Sequence, residues 1–166
     1  MLIEIKELRK TFENGTKALQ GVNLSVNEGE FVVILGASGS GKTTLLRSIN
    51  GLVEYEQGEI KFCNNVISSS TLAALRKQTG MVFQDFNLVS NLSSLNNVLT
   101  GLLDSSNTIM SMLYLFTKEQ KKQALSCLEM VGLLDKAYSR VDKLSGGQQQ
   151  RVGIARAIIK NPTLLL

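Results

Sequence analysis

Histidine is absent from all 166 residues, which excludes imidazole chemistry from this chain. Cysteine is nearly absent. Cys63 and Cys127 lie in different apolar segments, at no spacing that suits a metal, and read as two buried thiols in a reducing compartment. No apolar run approaches the ~20 residues that span a bilayer. The opening MLIEIKELRK alternates charged and apolar residues and does not resemble a secretory leader. The chain is therefore expected in the cytosol, or at a membrane only through a partner. Blocks of like charge are also missing. Eighteen basic residues against fourteen acidic give a net charge of +4 and a pI near 9.1. That excess suits a phosphate-bearing ligand or an acidic partner, and it builds no basic arm for nucleic acid. There is no internal repeat, and the glutamines at 148–150 are too few for low complexity.

What is present fits a globular core: 43% hydrophobic and 19% charged residues, in a length that fits one domain. Leu2–Leu8 reads as a strand, Asn14-Gly15 as a hairpin turn, and Lys17–Val26 as the returning strand. FVVIL, Phe31–Leu35, is apolar on both faces, as expected of a strand inside a covered sheet. A helix is predicted from about Lys42 to Asn50, a strand over Gly58–Phe62, and a turn at Asn64-Asn65. A helix over Thr71–Gln78 and a buried strand over Gly80–Phe83 follow. From Asp85 to about Arg140 strand signals vanish. Leu92, Leu95, Val98, Leu99 and Leu102 recur at helical spacing. Thr117 with Gln120 forms a capping-box pattern, Ala124, Leu125, Leu128 and Val131 share one face, and Gly132 suits a helix end. A last helix should run from near Ser145 to before Pro162. NPTLLL, Asn161–Leu166, then reads as a loop entering a buried strand.

Two glycine-rich stretches carry chemistry. GASGSGKT, Gly36–Thr43, fits the pattern G-x-x-x-x-G-K-[ST] after an apolar strand and before a helix. Gly36, Gly39 and Gly41 let the backbone curl its N–H groups inward on an anion, and the helix adds its positive end. Lys42 supplies a mobile charge for β- and γ-phosphates, and the Thr43 hydroxyl is placed to ligate Mg²⁺. LSGGQQQR, Leu144–Arg151, repeats the idea. Gly146 and Gly147 bare backbone N–H groups at a second helix start. Ser145 suits an N-cap, or else its hydroxyl faces a ligand.

With LSGGQ at 144–148, the phosphate loop upstream and Gln84 after GMVF, the sequence resembles the nucleotide-binding subunits of ABC transporters. GMVFQDFNLV, NNVLTG, VGLLDKAY and LSGGQQQRV are similar to ATP-binding subunits of phosphonate importers. Asp104–Phe116 is less basic than in that group. The resemblance covers essentially the whole chain. It implies an α/β fold: a P-loop NTPase (RecA-like) core with an N-terminal antiparallel β subdomain and a helical insertion, incomplete at the C-terminus. Residues 1–84 and 140–166 would form the core and 85–139 the helical subdomain. Read alone, Phe12 favours a hairpin core residue over a ligand contact, and Gln84 is balanced between a surface amide and a functional group. By resemblance Phe12 stacks on adenine and Gln84 is the Q-loop glutamine, a metal ligand with Thr43. The nucleotide-binding set would be Phe12, Gly36, Ser38, Gly39, Ser40, Gly41, Lys42, Thr43, Thr44, Ser145, Gly146, Gly147 and Gln148, with Lys42, Gln84 and Ser145 in catalytic roles. ATP and Mg²⁺ are the implied ligands.

The implied partners are a second ATP-binding subunit in a head-to-tail dimer, membrane permease subunits and, indirectly, a substrate-binding protein, at the cytoplasmic face of the inner membrane. No nucleic acid is expected. ATP in one subunit's loop would be capped by the other's signature helix, and Asp85, Phe86 and Leu88 would wall a groove facing the permease. In this family the strand begun by NPTLLL ends in an aspartate that helps hold Mg²⁺ and a glutamate that activates water; a switch histidine comes later. None of the three stands within residues 1–166. The chain by itself is therefore expected to be weak or inactive in hydrolysis. With its mid-sheet strand unprovided, it is also expected to aggregate, swap strands or unfold easily. Two other readings remain: a nucleotide-binding remnant that never hydrolyses ATP, and a non-transport ABC ATPase. The second should carry a long coiled coil or a strongly basic face, and neither is seen.

Overall fold

The computed structural model describes residues 1–105 and 116–166, with side chains 104 and 105 left undescribed. Most of the Asp104–Phe116 stretch noted above thus lies outside the described residues. The chain divides into two compact units, Met1–Arg76 and Lys77–Leu166.

In the first unit, β1 (Ile3–Thr11), β2 (Lys17–Val26), β3 (Gln57–Phe62) and β4 (Asn65–Val66) form an antiparallel sheet in the order β2-β1-β3-β4. The turn between β1 and β2 closes as expected. Gly15 takes φ 81°, its N–H donates to the Phe12 carbonyl at 2.8 Å, and Thr11 pairs with Lys17. Strict alternation would follow Ile3 and Ile5 with Glu7 on the buried face. A bulge between Ile5 and Leu8 adds one residue and puts Leu8, fully buried, inward instead. Glu7 takes φ 47°, and Asn23 clasps it: the Glu7 N–H donates to Asn23 Oδ1 at 3.0 Å, and Asn23 Nδ2 donates to Glu7 Oε1 at 2.6 Å. The bulge also requires glycine opposite, because a Cβ at Gly58 would lie 2.5 Å from the Lys6 carbonyl oxygen. α1 (Lys42–Ile49) buries Leu45, Ser48 and Ile49, and α2 (Leu72–Gln78) begins in this unit and runs two residues past its last residue, Arg76.

Three expectations need correction here. Phe31–Leu35 joins no ladder among the described residues and lies open, with Phe31 91% and Leu35 86% exposed. Its two apolar faces call for cover and its backbone for a partner strand, and a strand exists only through that pairing. Cys63 is exposed, not buried: it takes φ 48° in the turn between β3 and β4. That turn falls at Cys63-Asn64, one residue early.

In the second unit, β5 (Thr79–Gly80) pairs in parallel with β6 (Leu164–Leu165). The buried strand expected over Gly80–Phe83 is shorter: Met81–Phe83 are only partly buried, with Val82 N–H donating to the Leu166 carbonyl at 2.8 Å. α3 (Ser94–Leu99), a 3₁₀ turn (Thr100–Ser105), α4 (Lys118–Met130) and α5 (Gly146–Ile158) enclose one apolar core. Leu99, Ala124, Leu128, Val152 and Ile159 are fully buried there. Thr117 and Gln120 form the expected capping box at the start of α4. Gly132, at φ 67°, ends that helix by donating to the Glu129 carbonyl at 2.9 Å. These units follow a different division from 1–84 with 140–166 against 85–139. α5 packs its apolar face on α3 and α4. Among the described residues no helix is long and apolar enough to cross a membrane.

Candidate functional site

The phosphate loop belongs to the first unit. Gly39 and Gly41 take φ 79° and 90°, values that L side chains avoid. A Cβ at Gly41 would lie 2.2 Å from the Ala18 carbonyl oxygen, so the loop rests directly against the start of β2. A Cβ at Gly36 would lie 2.6 Å from Ser40 Oγ. Inside the curl, Lys42 Nζ donates to the carbonyls of Ala37 at 2.7 Å and Gly36 at 2.9 Å, and to Ser40 Oγ at 3.3 Å. Gly41, the N-cap of α1, provides no side-chain cap, and the first turn carries no acid. The loop therefore offers a cation, a ring of backbone and an uncapped helix start, a donor set that fits a phosphate chain. Ser38, Ser40 and Thr43 are exposed and Thr44 is half-buried. The Thr43 hydroxyl, in the first turn, fits one position of a hard-cation shell completed by phosphate oxygens and water. Among the described residues no group of three or more His, Cys, Asp or Glu could hold a metal.

Phe12 sits at the tip of the hairpin whose return strand carries Ala18, the residue against Gly41. Its ring is 39% exposed and edges an open cleft with Lys10, Thr11, Val53, Glu54 and Glu56. Lys10 Nζ stands 5.6 Å from the ring centroid. The Phe12 ring is thus available to a flat ligand rather than spent in the core.

The second unit holds the remaining residues. Ser145 N-caps α5 in a full capping box: its Oγ accepts from Gln148 N–H at 3.4 Å, and Gln148 Oε1 accepts from Ser145 N–H at 3.0 Å. No neighbour comes within 4 Å of a Cβ built on Gly146 or Gly147, so that helix start is clear of other groups. The two glycine-rich helix starts thus differ. The first is open and holds a lysine; the second satisfies itself. Gln84 and Asp85 are exposed after β5, while Phe86 and Leu88 are partly buried.

Two side chains that the sequence reading passed over shape this region. Asn97, fully buried on α3, accepts from Val89 N–H at 2.8 Å and donates to the carbonyls of Val89 at 3.1 Å and Ser93 at 3.1 Å. Arg156, on α5, donates to the carbonyls of Asn87 at 2.6 Å and Phe86 at 2.7 Å, with its guanidinium 6.0 Å from the Phe83 ring centroid. Burial pushes that guanidinium below the ordinary arginine value, yet arginine stays charged. A signal for Arg156 existed: it stands four residues after Val152 and three before Ile159, on the buried stripe of its helix.

The profile of the ABC transporter family matches residues 19–166. The phosphonates import ATP-binding protein of Lactobacillus acidophilus is 47% identical over 168 residues, covering 99% of this chain and 65% of that protein. Its counterpart in Shouchella clausii is 48% identical, covering 99% and 63%. This chain thus spans about 65% of the length of the curated relatives it matches. Among solved structures, a dimeric bacterial ABC transporter cassette, MJ0796, superposes with a TM-score of 0.86 at 38% identity, covering 99% of this chain and 72% of that one. The same cassette in a post-hydrolysis state bound to ADP and Pi gives 0.83 at 37% identity, with the same coverage. Residues 1–166 belong to the ABC transporter family, with the α/β fold of its ATPase cassettes.

Proposed function

We propose that this chain is the ATP-binding part of an ABC importer subunit that couples ATP binding and hydrolysis to uptake of a phosphonate or a related small oxyanion. The observation that carries the reading is the phosphate loop, where Lys42 Nζ waits on the Gly36 and Ala37 carbonyls beside the uncapped start of α1. On nucleotide entry Lys42 exchanges those carbonyls for β- and γ-phosphate oxygens. The backbone from Gly36 to Thr44, with Ser38 and Ser40, wraps the phosphate chain, and Phe12 stacks on the base. Thr43 and Gln84 are the residues that would hold Mg²⁺, which would supply positive charge to the phosphate oxygens. Ser145, Gly146, Gly147 and Gln148 cap the triphosphate held by a second copy of the subunit, in a head-to-tail dimer. Here Ser145 gives up its capping box and aims its hydroxyl at the γ-phosphate. The names of the phosphonate-import relatives support the substrate class.

On this reading the permease contacts a surface that includes Asp85, Phe86 and Leu88, and a substrate-binding protein acts through the permease. The subunit works at the cytoplasmic face of the inner membrane. Residues 1–84 with 140–166, against 85–139, are the functional division of the subunit. Residues 1–166 bind nucleotide and turn it over weakly, because no aspartate-glutamate pair follows an apolar strand among them. The test is titration of a fluorescent ATP analogue with Mg²⁺ into the wild-type chain and Lys42→Ala. Losing the charged donor should weaken binding by about 2–3 kcal/mol, roughly 30- to 150-fold. Equal affinity in the two proteins overturns the phosphate-loop assignment.

A further inference from the structure

The segment that carries Gln84 is held by a single side chain on both flanks. Before it, the Phe83 ring lies against the Arg156 guanidinium; after it, the carbonyls of Phe86 and Asn87 both accept from that same guanidinium. Phe86 and Asn87 reach this arrangement at φ 57° and 47°, a conformation that costs a non-glycine residue free energy unless its surroundings hold it. The planar fork of arginine is what lets one side chain take two carbonyls and a ring at once. Beyond Leu88, Asn97 fixes Val89, Leu92 and Ser93: it accepts from the Val89 N–H and donates to the carbonyls of all three. The stretch that Arg156 governs is short: Gln84 to Leu88.

Arg156 stands eleven residues along α5 from Ser145. A helix transmits displacement along its axis as a rod, here over about 16 Å at 1.5 Å per residue. The buried stripe Val152, Ala155 and Ile159 fixes the helix in its core, so axial rotation or translation of α5 carries Arg156 with it. We propose that Arg156 is a positioning residue that ties the signature helix to the Gln84 loop, so that a load applied at Ser145–Gly147 is delivered to Gln84 through one guanidinium. The proposal rests on the functional reading above for the roles of those two ends. It adds the physical link between them.

The experiment compares wild type with Arg156→Lys, Arg156→Ala and Val152→Ala in the full chain. Val152→Ala weakens the same helix and its core while leaving the Arg156 guanidinium and its two carbonyl acceptors in place. Amide hydrogen exchange over Asp85–Leu88 is read relative to the rest of the second unit, and kcat and KM for ATP are measured alongside. The relative exchange should rise at least tenfold in Arg156→Ala and about threefold in Arg156→Lys, and stay unchanged in Val152→Ala. The kcat should fall with the loop's protection while KM stays within twofold, because Arg156 is outside the phosphate loop. If Arg156→Ala does not fold, Arg156→Lys carries the comparison. Unchanged loop exchange in the Arg156 variants, an equal rise in Val152→Ala, or a freed loop with undiminished kcat overturns the proposal. Wild type that binds no ATP would defeat the functional reading instead, and the exchange measurement would still decide whether Arg156 holds the loop.

Discussion

In the second unit Leu95, Val98, Leu99, Leu128, Val152 and Ile159 are all under 10% exposed, packed between three helices that lie within seventy residues of one another. In the first unit the most apolar segment, Phe31–Leu35, lies in the open. Both stretches are rich in the same residue types. The difference is how each secondary structure is completed. A helix satisfies its own backbone and needs only a surface to lean on; a central strand needs partners on both edges and cover on both faces. The helical unit is therefore closed by its own contacts, while the apolar segment before the phosphate loop becomes a strand only where something pairs with it.

The largest expected contrast tests that difference directly. Leu99→Ala removes a fully buried side chain from the helical core and should cost about 2–5 kcal/mol. Leu35→Ala, at an 86% exposed position, should change stability by less than about 0.5 kcal/mol. Denaturant titration of residues 1–166 measures both. Replacing Phe31 and Leu35 by serine should also reduce aggregation of that chain, since an open, extended apolar segment invites pairing with another chain. A Leu35→Ala cost matching that of Leu99→Ala would mean the segment is covered in solution.

This same contrast explains what the sequence disclosed. The hairpin, the Thr117 capping box and the apolar faces of α3 and α4 were legible because their signals are local: Asn14-Gly15, a threonine three residues before a glutamine, leucines at i, i+3 and i+4. The glycines of the phosphate loop were legible because each has a local reason: Gly41 packs against the Ala18 carbonyl, Gly36 against Ser40 Oγ, and Gly39 takes a left-handed φ of 79°. Phe31–Leu35 was misread because its apolar pattern reports a need for partners, not their presence. The bulge at Glu7 was missed because its cause is spread over Asn23 and Gly58. The place of Arg156 on the buried stripe of its helix marked it as unusual, but its acceptors, backbone carbonyls about seventy positions away, leave no side-chain pattern that would name its partners.

A smaller effect sharpens the comparison within the second unit, where two capping boxes have one geometry and different expected uses. Thr117→Ala and Ser145→Ala should each cost about 1 kcal/mol in stability by losing an N-cap. Only Ser145→Ala should also reduce ATP turnover in the assembled dimer. If both variants leave turnover unchanged, Ser145 is a cap and nothing more.

The smallest effect belongs to the exposed clasp of the first unit. The hydrogen bond from Asn23, and then that from Arg9, holds the Glu7 carboxyl below its ordinary value of 4.5. A depressed carboxylate contributes stability that is fully present above the unfolded value and is lost as pH falls through the folded one. The loss should therefore begin near pH 4.5 and finish below the folded midpoint. Because the clasp is open to solvent, its effect should be slight and further weakened by salt. In an NMR titration, Glu7 should titrate below 4.5 in wild type and move upward in Asn23→Ala, because the leading cause of the shift is gone. A Glu7 midpoint that ignores Asn23 would mean the bulge is held by backbone geometry at Gly58 alone, and that the first unit keeps its register without the polar clasp.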